Sequence, residues 1–304
     1  MDSAEVLRWL QSSRRQGARH LWLSGGEPTL RKDFLATLRA ARQLGYQRIK
    51  VQSNGLLFSY PEFAQKAVTA GMNEVNLLVK SLDPRLHDAM NRTPGAFALL
   101  DKAVDALGQL GVRMEGDFLM TTRNYQELPA LVRHYAGRGF KHFNIWLFSL
   151  VDQGDGDLQR QVPKLTLTMP FMLEALQIAE EMGATLSSLN TPHCVVPPEA
   201  WRMQFNAAGM QLTVVNPGGH VFPLETSTIE QGVFVETCGS CAVKSYCHGM
   251  RSDYISVHGS SELQALSAES VVGYDPRGSV LDLPDRIPTS ALSIAASTIG
   301  TSVK

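Results

Sequence analysis

The chain has 304 residues, 44% of them hydrophobic and 19% charged, with a formal net charge of −1 and a pI near 6.7. That length supports one large core plus a smaller unit, and nothing in the near-neutral balance suggests the phosphate-binding surface that nucleic-acid proteins carry, so no nucleic-acid partner is expected. No apolar run reaches the roughly 18 residues of a membrane span, and the opening MDSAEVLRWLQSSRRQ lacks a signal-peptide segment, so a cytoplasmic protein with no membrane partner is expected.

The opening residues read as an amphipathic helix with Val6, Leu7 and Leu10 on one side. Residues 20–150 then alternate short apolar runs with helical patterns. The strand candidates are HLWLS (20–24), RIKVQS (48–53), EVNLLVK (74–80), MEGDFLM (114–120) and HFNIWLF (142–148). One helical stripe carries Phe34, Leu35, Leu38 and Ala41. Another has Phe97, Leu100, Val104 and Leu107 before Gly111, and a third has Leu128, Leu131, Val132 and Tyr135 before Gly137 and Gly139. This alternation implies βαβ units around a parallel sheet, hence an α/β fold. Residues 165–183 form a further helix, apolar at Met169, Phe171, Met172 and Leu176. After 184 the pattern changes to short strands and loops, with a hairpin at Asn216-Pro217-Gly218-Gly219. Residues 263–304, rich in Ser, Ala and Thr, read as a mostly disordered tail. The expected units are therefore 1–183, a cysteine-rich 184–262, and the tail.

Two segments carry chemistry. The first strand candidate runs into Gly25-Gly26-Glu27-Pro28, where glycines let a backbone approach a ligand, a carboxylate can take an amine, and proline fixes the exit. Parallel sheets bind ligands beyond the carboxyl ends of their strands, where this segment sits. Gly-Gly alone is equally compatible with an ordinary turn. The second segment is Cys238-Gly239-Ser240-Cys241, followed by Cys247, with Cys194 as the fourth ligand brought in by the fold. Clustered thiols in a reducing compartment point to metal binding, against the alternative of buried small hydrophobes. Four thiolates suit a [4Fe–4S] cluster or a tetrahedral zinc, and spacing does not choose between them.

Other residues carry weaker expectations. Glu115 and Asp117 either point inward toward a ribose or substrate, or lie at an outer mouth in water. Asp152, Asp155 and Asp157 lack calcium-loop spacing and read as a solvated loop. Arg31 reads as a surface residue at a helix start and His87 as a local packing group; His193 and His248 sit beside the cysteines and could replace one as ligand, but read first as outer neighbours or solvent-facing groups.

In order and spacing these motifs resemble the radical S-adenosylmethionine (radical SAM) superfamily. SGGEPTL is similar to the segment that holds the methionine end of S-adenosylmethionine, which implies roles for Gly25, Gly26, Glu27 and Pro28. Gln52-Ser53-Asn54-Gly55 resembles the family's Thr-Asn-Gly turn and puts Asn54 on the adenosine side. VNLLVKSLDPRLHDAMNRTPGAF resembles the next strand and loop, so Lys80 and Ser81 are expected to face the cofactor pocket. The resemblance implies an incomplete parallel (β/α)6 TIM-like barrel. Cys194 with Cys238, Cys241 and Cys247 resembles the SPASM/twitch-like auxiliary domain, which implies a [4Fe–4S] cluster on those four. The implied activity is oxidoreductase-type radical chemistry on a peptide or small cofactor precursor, with an electron donor such as ferredoxin or flavodoxin. The family also carries a Cys-x3-Cys-x2-Cys loop after a first strand, and this sequence has no cysteine before Cys194. The intact SGGEP and SNG segments point to truncation or a late start rather than to loss of the cluster, and the sequence as given is expected not to make a radical by the usual route. The alternative is a non-catalytic scaffold holding one cluster or zinc.

Overall fold

The computed structural model describes residues 1–148, 160–227 and 232–277. The acidic loop at 152–157 and the tail from 278 lie outside the described residues. Helix α1 (Ser3–Arg15) starts on Asp2, whose carboxylate accepts from the Glu5 amide at 2.7 Å. The sheet follows, with β1 His20–Leu23, β2 Arg48–Ser53, β3 Glu74–Val79, β4 Arg113–Met120, β5 Phe140–Leu147 and β6 Thr185–Leu189. All six strands are parallel and lie in chain order. Helices α2 (Phe34–Gln43), α3 (Pro61–Ala70), α4 (Pro84–Asn91), α5 (Ala96–Gln109), α6 (Leu128–Gly137) and α7 (Leu165–Glu181) supply the crossovers. The result is the expected α/β architecture, an incomplete parallel barrel.

The strand periodicity sorts the two faces. Val51, Val75, Leu77, Phe118, Phe143 and Ile145 are buried in one core with Leu38, Leu100, Leu131 and Ala175 from the helices. The opposite face carries Trp22, Lys50, Asn76, Glu115, Asp117, His142 and Asn144. Trp22 of β1 and Trp146 of β5 pack on a cluster containing Leu189 of β6 and Phe205, so the sheet's two edges curl toward each other over this concave face.

Two boundaries differ from the sequence reading. The composition change at 184 falls inside the sheet, because β6 pairs with β5 from His142↔Thr185 to Trp146↔Leu189. Residues 263–277 pack on the fold despite their composition: Leu263 is buried, Tyr274 stacks edge-on against Trp201, and the Pro276 carbonyl lies 2.7 Å from His193 Nε2. Beyond β6 come a short helix α8 (Ala207–Met210), the hairpin of β7 (Thr213–Val215) and β8 (Val221–Pro223) around the expected Pro-Gly-Gly turn, and α9 (Ser252–His258). No helix of the described residues is long and apolar enough to cross a membrane.

Candidate functional site

The carboxyl ends of β1 and β2 meet at the Gly25–Glu27 turn. Gly25 and Gly26 have φ of +82° and +42°, and a Cβ on either would meet nothing within 4 Å. The turn's backbone therefore demands glycine, while the space above it is open. Glu27 is placed differently from a free amine acceptor. Its carboxylate accepts from Ser53 Oγ at 2.9 Å, the Asn54 amide at 2.8 Å, the Thr29 amide at 3.1 Å and Thr29 Oγ1 at 2.7 Å. Glu27 thus fastens the β1 loop to the β2 loop. Pro28 opens the short turn Pro28–Leu30 and is buried. Asn54 Oδ1 accepts from the Leu56 amide at 3.0 Å. Gly55 has φ +82°, and a Cβ there would press on Leu100 Cδ1 at 3.0 Å.

Lys80 and Ser81 are turned away from this group. The Ser81 hydroxyl is fully buried; it donates to Glu127 at 2.7 Å and accepts from the Asp83 amide at 2.9 Å. Lys80 Nζ donates to the Met90 carbonyl at 2.9 Å, and burial pushes its pKa down. His87 is buried edge-on to Phe97, and burial, aided by the Lys80 charge, lowers its pKa to about 4. Arg31 pairs with Asp33 at the start of α2, as expected of a surface residue.

The concave face answers the question left open about Glu115 and Asp117: both point inward and are buried. Lys50 pairs with Glu115. Burial pushes the Glu115 carboxyl up, but Lys50, His142 and Arg113 outweigh it and hold it below its ordinary range. Asp117 accepts from Gln52 Nε2 and, at 2.9 Å, from Asn144 Nδ2; its complete burial still pushes its pKa up. Gln52 accepts in turn from Ser24 Oγ, so a hydrogen-bonded chain runs from beside Gly25 to the buried Asp117. Asn76 and Trp146 also approach Asp117 and oppose the rise in its pKa, and among the described residues the buried Trp22 indole N–H has no hydrogen-bond acceptor. Lys50 and Asn144 belong to none of the sequence motifs, and Gln52 and Asn76 enter only within longer ones, Gln52 at the start of the turn to Gly55. Their alternation with Ile49, Val51, Val75 and Phe143 was the available signal.

The four cysteines come together. Cys194 sits on the turn His193–Val195 after β6, Cys238 lies within the turn Glu236–Ser240, and Cys241 follows directly after it. All four line one small cavity with Phe234, Val243, Met250 and Leu263. Burial, and then the neighbouring cysteines, push the Cys194 and Cys247 thiols up. Backbone amides of Gly249 and Leu266 reach Cys247 Sγ at 3.4 Å and Cys241 Sγ at 3.5 Å. Among the described residues no three His, Cys, Asp or Glu side chains converge as they would on a single metal ion. His193 and His248 both line the larger cavity next door, with His193 shared between the two. Two glycines hold the segment: Gly232 and Val233 pair with His248 and Met250, and a Cβ on Gly249 would lie 2.6 Å from the Val233 carbonyl oxygen.

Residues 1–135 match the family model described as the radical SAM superfamily. The curated relatives include the probable GTP 3′,8-cyclase of Sulfurisphaera tokodaii, 32% identical over 120 residues, or 38% of this chain and 36% of that one. The corresponding protein of Saccharolobus solfataricus is 28% identical over 133 residues, 42% of this chain and 41% of its own. The chain thus spans well under half the length of these relatives. Among solved structures, native anSMEcpe with bound AdoMet and a Cp18Cys peptide superposes with a TM-score of 0.58, covering 87% of this chain and 85% of that one at 14% identity. Streptococcus suis SuiB gives 0.50 over 62% of this chain and 42% of its own, at 17% identity. At these identities the structures show a shared fold. Strands β1 to β4 of the parallel sheet and the Gly25–Gly26 edge lie within residues 1–135, the part of the chain that matches the radical SAM superfamily model.

Proposed function

We propose that this chain is part of a radical SAM enzyme whose C-terminal unit holds an auxiliary [4Fe–4S] cluster on Cys194, Cys238, Cys241 and Cys247. The carrying observation is that these four thiols, drawn from two distant segments, line one cavity. Their donor set fits the group: four thiolates are the usual ligands of such a cluster, and a cationic centre displaces the thiol protons on binding. Four thiolates alone suit zinc as well, and the resemblance of the cysteine pattern to an auxiliary-cluster domain is what favours the cluster.

S-adenosylmethionine is assigned to the open edge at Gly25 and Gly26, with Asn54 on the adenosine side. Glu27 and Pro28 hold that edge in shape, and Glu27 does so through four protein donors rather than through a free carboxylate. Ser81 is left out of the set, because Glu127 and the Asp83 amide occupy its hydroxyl. When bound, the cofactor and an iron–sulfur centre supply the superfamily's one-electron chemistry. The protein's own part is to orient and to exclude water, with the buried Asp117 network fixing the polar side chains of the concave face. The thiolates for a cluster at the Gly25 edge are not among these residues, whose first cysteine is Cys194.

The substrate is a peptide or a small cofactor precursor, and a ferredoxin or flavodoxin is the fitting electron donor. The relatives' cyclase names rest on matches to about two fifths of the chain. They support the class of chemistry more than a nucleotide substrate.

Anaerobic reconstitution tests the cysteine site. About four irons and four sulfides per chain are expected, with loss of the broad visible absorption in Cys241→Ala. One zinc per chain, or iron content unchanged by that substitution, sinks the assignment. For the cofactor edge, Gly26→Val should abolish S-adenosylmethionine binding in calorimetry while Ser81→Ala leaves it alone; the reverse pattern would move the pocket.

A further inference from the structure

Gly25 and Gly26 stand at positive φ with open space on the side where a Cβ would lie, so packing on that side does not hold them. Strand β1 pairs with β2 only as far as Leu23↔Val51. Among the described residues no backbone hydrogen bond outside the strands reaches Ser24, Gly25 or Gly26. Two side-chain ties flank the glycines instead. Downstream, the Glu27 carboxylate is fastened to Ser53 and Asn54 of the β2 loop. Upstream, the exposed Ser24 donates its hydroxyl proton to Gln52 Oε1 at 2.5 Å.

The upstream tie takes its direction from inside the sheet. Gln52 Nε2 donates at 2.5 Å to one oxygen of Asp117, a side chain only 2% exposed. The other oxygen accepts from Asn144 Nδ2 at 2.9 Å, so both oxygens accept, as those of a carboxylate do. An amide can turn either end toward a neutral partner, but an acceptor-only group takes its NH2 end alone. Asp117 therefore sets the Gln52 amide with its NH2 inward and its oxygen outward, and that oxygen takes the Ser24 proton. Asn144 Oδ1 accepts in turn from Ser187 Oγ at 2.9 Å, and Asn76 also approaches Asp117. The network thus takes one side chain from each of β2 to β6 and ends at the residue before Gly25. Burying a carboxylate is costly, and the aliphatic core on the other face of the sheet has no use for one.

We propose that Asp117 is a positioning residue for the cofactor edge: through Gln52 and Ser24 it holds the backbone ahead of Gly25 in the shape that receives S-adenosylmethionine. This rests on the assignment of that edge made above and adds to it a residue in the middle of the sheet. None of the three side chains has to touch the cofactor.

Hydrogen exchange of the full chain without ligand, read by mass spectrometry over residues 23–27, reports on the edge itself. Asp117→Asn takes away the acceptor of Gln52 and should speed exchange there about tenfold. Ser24→Ala cuts only the last link, at an exposed residue, and should do the same with the sheet intact, even if the Asp117 variant fails to fold. Asp117→Asn combined with Gln52→Glu puts the amide at position 117 and the carboxylate at position 52. Both hydrogen bonds form again, and exchange should return to the wild-type rate. A merely structural lesion would not be repaired by this second change. Calorimetric titration with S-adenosylmethionine should follow the same order, with each single variant about tenfold weaker and the combined variant restored. The proposal is overturned if Ser24→Ala exchanges as the wild type does, if the combined variant exchanges as fast as Asp117→Asn, or if faster exchange leaves affinity unchanged. Failure of the edge assignment has a different signature: Gly26→Val then binds S-adenosylmethionine as the wild type does, which overturns both readings, whereas unchanged exchange overturns only this one.

Discussion

Residues 20–189 bury side chains on both faces of one sheet, aliphatic toward the helices and polar toward the concave side. Residues 232–277 bury few large groups, chiefly Val243, Met250, Tyr254 and Leu263, and rely on close backbone pairing around the cysteines. The first region is held by packing and an internal charge network. The second has too little apolar burial to stand alone, which is where small units commonly enlist a metal centre. The comparison predicts that lesions in the sheet are global, whereas lesions near the cysteines are local and coupled to iron.

The largest effect is expected in the concave face. Lys50→Met removes the cation beside Glu115 and leaves a carboxylate buried among His142 and Arg113. Losing one partner of a buried pair costs about 3–5 kcal/mol, to be read as a fall in the urea midpoint of the main transition. Lys50→Met combined with Glu115→Leu should recover most of that loss, and a single-variant cost under about 1 kcal/mol would show that the pair is solvated.

Acid should act on the same region. His87 and His142 are held neutral by burial, with pKa values lowered to about 4 from an ordinary 6.5. Above pH 6.5 folded and unfolded chains carry the same charge at these sites. Between 6.5 and 4 only the unfolded chain takes up the protons, so stability falls as pH drops through that window. Each histidine contributes up to about 1.4 kcal/mol per pH unit. Urea unfolding at pH 7.5 and 5 checks this, with His142→Gln expected to reduce the slope. Equal slopes in the two proteins would mean His142 charges freely in the native state.

A smaller and more local effect is expected of Gly249→Ala. The residue sits at φ +77°, and its new methyl would meet the Val233 carbonyl oxygen. Strain and overpacking together are worth about 1–3 kcal/mol, confined to the 232–277 unit. Faster proteolysis there and lower iron retention, with an unchanged main unfolding transition, would separate the two regions. A matching fall in the main transition would mean they unfold as one.

Much of this architecture was legible because β-branched and aromatic runs alternated with large apolar residues at helix spacing. What escaped had weak side-chain signals. Helix α3 buries Ala64, Ala67 and Ala70, and α4 buries only His87, so neither shows a stripe of large residues. Strand β6 reads TLSSL, with serines buried on both faces, and was therefore placed beyond the boundary. The cysteines were legible by spacing, and the cavity they share required the fold. Glu27 was legible as important, but its partners Ser53 and Asn54 lie one strand away. The role of Asp117 depends on neighbours that only the folded chain supplies.

The smallest predicted effect tests the residue whose expected position changed most. In sequence Ser81 stands one residue beyond the strand and was expected to face a cofactor. In the fold its hydroxyl lies between Glu127 and the Asp83 amide. Glu127 also takes the Leu82 amide at 2.8 Å, so the Ser81–Glu127 contact ties the end of β3 to the turn before α6. Ser81→Ala removes one of those ties and leaves the Glu127 carboxylate its remaining backbone donor. The expected cost is about 1 kcal/mol in thermal or urea unfolding, with ligand affinity at the Gly25–Asn54 edge unchanged. Ser81→Thr, which keeps the hydroxyl, should restore part of the loss where its methyl is accommodated. If Ser81→Ala instead left stability untouched and loosened S-adenosylmethionine, the hydroxyl would belong to the ligand edge and the division of labour along this sheet would have to be redrawn.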